Sequence, residues 1–143
     1  MDVNEVVTPI IKRIMEDSTL EELNGEKVMA IKGRRKPEGF KNPIFTVNVF
    51  TAPWDEDGKL VEGTIQIKYY CDDYRSGNAN VEKIGPVMKR LAWMFDDNPP
   101  ELKDALWYSL WAQETLSPLA DAQERDTGEH FGLLQLGYGI RLG

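Results

Sequence analysis

The strongest constraint on the fold lies between residues 61 and 95. From Thr64 to Cys71 the side chains alternate, with Ile65, Ile67, Tyr69 and Cys71 on one side and Thr64, Gln66, Lys68 and Tyr70 on the other. A two-residue period predicts a strand with one buried face. Residues 72–80 are dense in turn formers. Val81, Ile84, Met88, Leu91, Ala92 and Phe95 then recur at three, four and seven residues, the stripe of an amphipathic helix. A sheet packed on this helix makes the expected core.

The rest of the chain supplies the other pieces. Val3, Val6, Val7, Ile10, Ile11 and Ile14 form a second helical stripe, interrupted by Pro9. That helix either kinks there or starts with Thr8 as its cap. Ser18 and Glu21 have capping-box spacing for a further helical turn ending near Asn24 and Gly25. Strands are expected over 27–32, 44–50 and 60–71, and again over 106–116 and 130–142. The second and third of these pair antiparallel. Residues 33–39 read as a mobile loop and residues 118–128 as a polar connection. The order is helix, three strands, helix, two strands. Such runs predict one α+β domain over residues 1–143, an antiparallel or mixed sheet of about five strands packed by two main helices.

Candidate chemistry is sparse. His130 is the only histidine and Cys71 the only cysteine, so neither a zinc ligand set nor an intrachain disulfide can be assembled. Cys71, on the apolar side of its strand, is expected to be a buried thiol. His130 reads as a structural residue of the last strand. The acidic pair Asp72 and Asp73 and the run Asp55, Glu56, Asp57 lack the ligand spacing of a calcium loop, and acidic turn residues are common. No glycine-rich phosphate loop is present. No metal, cofactor or catalytic residue is therefore expected. With no long apolar run and an acidic start at Asp2 and Glu5, neither a membrane span nor a signal peptide is expected.

Charge and aromatics point instead to surfaces. The net charge is −7, which argues against nucleic-acid binding through the whole surface. Yet Lys32, Arg34, Arg35, Lys36 and Lys41 crowd into one loop region, and residues 1–26 are acidic. Either these are two solvated surfaces, or they meet between copies of the chain, since complementary patches steer association. Trp107 and Trp111 lie on the face of their strand opposite the aliphatic row, and Trp54 sits in a loop. They are candidate protein contacts, unless the first helix covers that face.

Taken together these pieces resemble the tail terminators, or tail-completion proteins, of long-tailed bacteriophages. The resemblance rests on the strand Ile44–Phe50, on Ile65–Asp73 running to Gly77 and Asn78, and on a last strand that opens with residues 126–130 and ends Tyr138–Leu142. It implies a structural virion protein without enzymatic activity, assembled in the host cytoplasm. It implies a homohexameric ring on the head-proximal end of the tail tube, which stops tube polymerisation and joins the tail to the head. The implied partners are further copies of the chain, the tail tube protein and the head–tail connector proteins, with DNA passing through the lumen. In that setting the basic loop faces a neighbouring subunit or DNA. Another neck protein, or a small non-viral binding module, are the alternative readings.

Overall fold

A computed structural model describes residues 6–51, 60–102, 105–112, 119–124 and 127–142. Three helices and six strands occur among these residues: α1 (Val7–Glu16), α2 (Ser18–Asn24), β1 (Ala30–Lys32), β2 (Ile44–Thr51), β3 (Leu60–Tyr70), α3 (Val81–Phe95), β4 (Ala105–Ala112), β5 (Leu119–Gln123) and β6 (His130–Leu142). The α+β class and the mixed sheet agree with expectation. The strand count and element order do not, because β5 is additional and the helical turn expected to end near Asn24 and Gly25 stands as a helix of its own, α2.

The sheet runs β1-β2-β3-β6-β4, with β5 also paired to β6. All pairs are antiparallel except β1 with β2. Long β6 forms the spine. One edge pairs with β3, from Leu60 opposite Arg141 to Tyr70 opposite Phe131. The other edge pairs first with β4 and then with β5. The closing hairpin therefore has a first arm in two pieces, β4 and β5. Residues 119–123, expected within a polar connection, are strand. A register shift between Trp107 and Ser109 breaks the strict alternation expected for 106–116. Trp107 falls opposite Ile140, and Trp111 falls opposite Gly137.

Pattern and burial agree on the helix-facing side. Val61, Ile65, Ile67 and Tyr69 of β3 are buried beside Phe45 and Val47 of β2 and Leu134, Leu136, Tyr138 and Ile140 of β6. Val7, Ile10 and Ile14 of α1, Leu20 of α2, and Ile84, Val87, Met88, Leu91 and Phe95 of α3 complete the same apolar cluster. All three described helices thus lie on one face of the sheet. A polar pair in this layer is satisfied: the Tyr69 hydroxyl donates to Asn24 Oδ1 at 2.5 Å, and Asn24 donates to the Glu26 carbonyl at 3.0 Å.

Local chemistry sets the helix ends. Pro9 stands in the first turn of α1, where the missing N–H would have had no helical partner, so the helix neither kinks there nor waits for Thr8. Asp17, not Ser18, caps α2: its Oδ2 accepts from the Leu20 N–H at 2.9 Å. Gly25 closes the helix at φ +80°, a left-handed conformation that glycine adopts without strain. Asn80 caps α3 by accepting from the Lys83 N–H at 3.2 Å, so the helix starts ahead of Pro86, which lies inside it. Tight packing of α3 on β6 needs Gly132. A Cβ there would stand 2.6 Å from Ile84 Cγ2 and from Met88 Cγ.

Candidate functional site

The parallel pairing of β1 with β2 dictates the main feature of the second face. Parallel neighbours need a crossover connection. Here residues 33–43 provide it, and they cross the face of the sheet that the helices leave bare. The loop begins with the Gly33 N–H donating to Val47 at 3.0 Å and turns at Pro37–Phe40, where Phe40 N–H donates to Pro37 at 3.3 Å. Gly39 takes the left-handed position of that turn, at φ +89°.

Beneath the loop lies a small apolar cluster of Ile44, Tyr70 and Phe131, flanked by Ile31 and Leu133. The Tyr70 and Phe131 rings are 5.4 Å apart at 45°. A ring of polar contacts surrounds this cluster. Lys36 Nζ reaches Glu129 Oε2 at 2.5 Å and Asn42 Oδ1 at 2.9 Å, and it lies 5.8 Å from the Tyr70 ring centre. Glu124 Oε1 accepts from Lys68 at 2.8 Å and from the Tyr70 hydroxyl at 2.6 Å. Lys68 Nζ also lies 4.6 Å over the Phe131 ring. Asn42 donates to Asp72 at 3.1 Å, and His130 Nδ1 pairs with Asp73 Oδ1 at 2.9 Å. An open cleft of about 580 Å³ remains between Arg35, Lys36, Phe40, Tyr70, Glu124 and Glu129.

These contacts tie three segments together: the crossover loop, the acidic end of β3 and the tip of the β5–β6 hairpin. The tip is shaped by its own turn. Glu124 N–H donates to the Glu129 carbonyl at 2.8 Å, and Gly128 at φ +75° returns a bond to the Glu124 carbonyl at 3.0 Å. The electrostatics suit a latch. Burial would raise the Glu124 carboxyl, but hydrogen bonds from Lys68 and Tyr70, with the charges of Lys68 and Arg35, hold it below its ordinary value. Burial, then the Glu124 carboxylate, raises the Tyr70 hydroxyl and keeps it a donor. Cys71 is buried, and that burial pushes its thiol up to about 11, with Lys83 opposing and Asp72 and Asp73 adding to the rise.

The five cations of the basic region do not form one patch. Lys36 is largely covered and is engaged within the chain, so the loop is fastened and not the mobile segment expected. Arg35 also has an interaction of its own. Arg34 and Lys41 are exposed on the loop. Lys32 is separated from them, lining a hollow beside Val7 of α1 and Val49 of β2. Trp107 and Trp111 enter as backbone positions of β4, and Trp54 lies outside the described residues. His130 is partly buried on the last strand and held by Asp73, consistent with a structural role.

Sequence reasoning missed two features. Lys68, Glu124 and Glu129 are far apart in the chain, and no local pattern announces their meeting. The second is Trp93, which stands off the apolar stripe of α3. That displacement was itself a signal, since an aromatic on the polar side of an amphipathic helix is exposed. Trp93 is 69% exposed. No family model matches the chain, and no curated protein matches it in sequence.

Proposed function

We propose that this protein is a ring-forming structural subunit of the phage head–tail neck, a tail terminator that caps the head-proximal end of the tail tube. The observation that carries this reading is the placement of its charges. Exposed Glu16, Glu21, Glu22 and Glu26 belong to the helical layer. Exposed Arg34 and Lys41 belong to the loop on the other face of the sheet. Complementary patches on opposite faces favour a head-to-tail contact, in which one copy presents a surface different from the one it receives. Such a contact closes into a ring when its rotation closes. The engaged polar groups beneath the loop support a structural role, because Lys36, Lys68, Tyr70, Glu124 and Glu129 are committed to one another.

Native mass spectrometry of the purified protein, alone and with tail tubes, tests the reading, with negative-stain microscopy of the tubes. The expected result is a closed oligomer near six copies, or a cap on one tube end. A strict monomer that leaves tubes uncapped overturns it. The double variant Arg34→Glu with Lys41→Glu is expected to stay folded and lose assembly. Those two positions are preferred to Lys36, whose ion pair also holds the loop.

A further inference from the structure

We propose that Trp93, stacked on Arg90, is the central contact of a head-to-tail interface between two copies of this chain, and that it seats against the crossover loop around Phe40 of the next copy. The inference rests on the self-assembly proposed above and assigns its surfaces. Trp93 is the most exposed large apolar side chain among the described residues. An indole left in water is not an ordinary feature of a helix that also buries six residues.

The ring is held ready for contact. The Arg90 guanidinium lies 4.5 Å from the Trp93 ring centre, so one face of the indole is covered by a cation. That guanidinium is itself fixed by two hydrogen bonds to Asp17, Nε to Oδ2 at 3.0 Å and Nη2 to Oδ1 at 2.8 Å. Asp17 is in turn fixed as the cap of α2. A chain of three side chains spanning the α1–α2 junction and α3 therefore limits the motion of an exposed aromatic. An aromatic ordered before binding loses little freedom on binding, the property of an interface hot spot.

The surroundings select the partner. Glu21 and Glu22 of α2 and Asp96 and Asp97 after α3 are exposed on the helical layer that carries Trp93, and they outnumber the exposed cation Lys89 one turn before it. A matching surface needs an apolar centre flanked by cations. The crossover loop offers that combination: Phe40 is 45% exposed, with Lys41 next to it and Arg34 exposed on the same loop. Both halves of the contact are present on every copy, and on opposite faces of the sheet. A second copy of the chain is the occupant whose apolar centre and charge the molecule already supplies.

The test uses the whole chain in two parts. Trp93→Ala is expected to weaken self-association by about thirtyfold or more in sedimentation velocity, as loss of a hot spot does, with an unchanged melting temperature because the side chain is exposed. Separately, Glu38→Cys and Lys89→Cys are made as single variants and mixed under oxidising conditions. The expected product is the mixed 38–89 cross-link, with buried Cys71 inert. Wild-type association by Trp93→Ala overturns this interface while leaving the ring reading intact, whereas cross-links only between identical positions overturn both this interface and the head-to-tail contact behind the ring. A 38–89 cross-link without any cap on tubes supports the interface and removes the terminator reading. No association in solution or on tubes overturns both.

Discussion

The two faces of the sheet are built on different principles. On the helical face, α1, α2 and α3 bury one apolar cluster, and the internal polar pair of Tyr69 with Asn24 is satisfied. On the other face, a small cluster of Ile44, Tyr70 and Phe131 is covered by a loop, and charges fasten that cover. The first face is held by area removed from water, which is non-directional and tolerant of salt and pH. The second is held by directed contacts among Lys36, Lys68, Glu124 and Glu129, which depend on protonation and on each partner being present. Stability and surface shape are thus divided between the faces. The helical layer supplies the larger share of stability, and the latch adds a smaller share and sets what the loop presents.

The comparison breaks most visibly on the helical face. Leu136→Ala, at a fully buried site, is expected to cost about 2–5 kcal/mol through lost transfer energy and the cavity left behind. Urea denaturation measures it. A cost near that of a surface substitution would mean that β6 is not the spine of the core. Gly132→Ala is expected to cost about 1–3 kcal/mol by overpacking, because Ile84 and Met88 must move. A neutral result would show that α3 sits further from β6.

On the loop face, Glu124→Ala leaves the Lys68 ammonium and the Tyr70 hydroxyl without their acceptor. The expected cost is about 1–3 kcal/mol. A double-mutant cycle with Lys68→Met separates the pair from each side chain alone, and a coupling near zero would remove the ion pair from the latch. The same carboxylate predicts a pH dependence. The folded-state values of Glu124 and Asp17 are lowered, Glu124 by its hydrogen bonds and neighbouring cations against burial, and Asp17 chiefly by its hydrogen bond from Arg90. Each contribution is therefore complete above the ordinary carboxylate range. It is lost as pH falls below about 4 and through the lowered folded values. Glu124→Gln should flatten part of that acid slope, and an unchanged slope would place the coupling elsewhere.

The helical face was the more legible of the two for the same physical reason. Its residues announce themselves by period: two in β3 and β6, three and four in α1 and α3. Burial follows period because every apolar side chain on one side meets one layer. The loop face has no period to read. Lys36 meets Glu129 across 93 positions only because β1 and β2 run parallel and force residues 33–43 across the sheet. A three-residue strand such as β1 states its direction nowhere in its sequence. β5 was hidden similarly: Leu119–Gln123 is too short and too mixed to show alternation, and it becomes strand because the edge of β6 beside residues 130–133 offers partners. The basic cluster was visible as composition, but its division into engaged Lys36, separate Lys32 and exposed Arg34 and Lys41 follows from topology.

The smallest expected effect sharpens the comparison most. Arg34→Glu with Lys41→Glu changes the net charge by four units, yet both side chains are exposed. Exposed charges are screened and contribute little to folding, so the cost is expected within about 0.5 kcal/mol. If the latch alone fixes the loop, urea denaturation at moderate salt should superimpose on that of the wild type. A cost above about 1 kcal/mol would show that these cations also hold the loop down. The charges displayed by this face would then belong to its stability, and the division of labour between the faces would fail. A matching curve together with lost self-association would assign the two cations to the surface that meets the next copy.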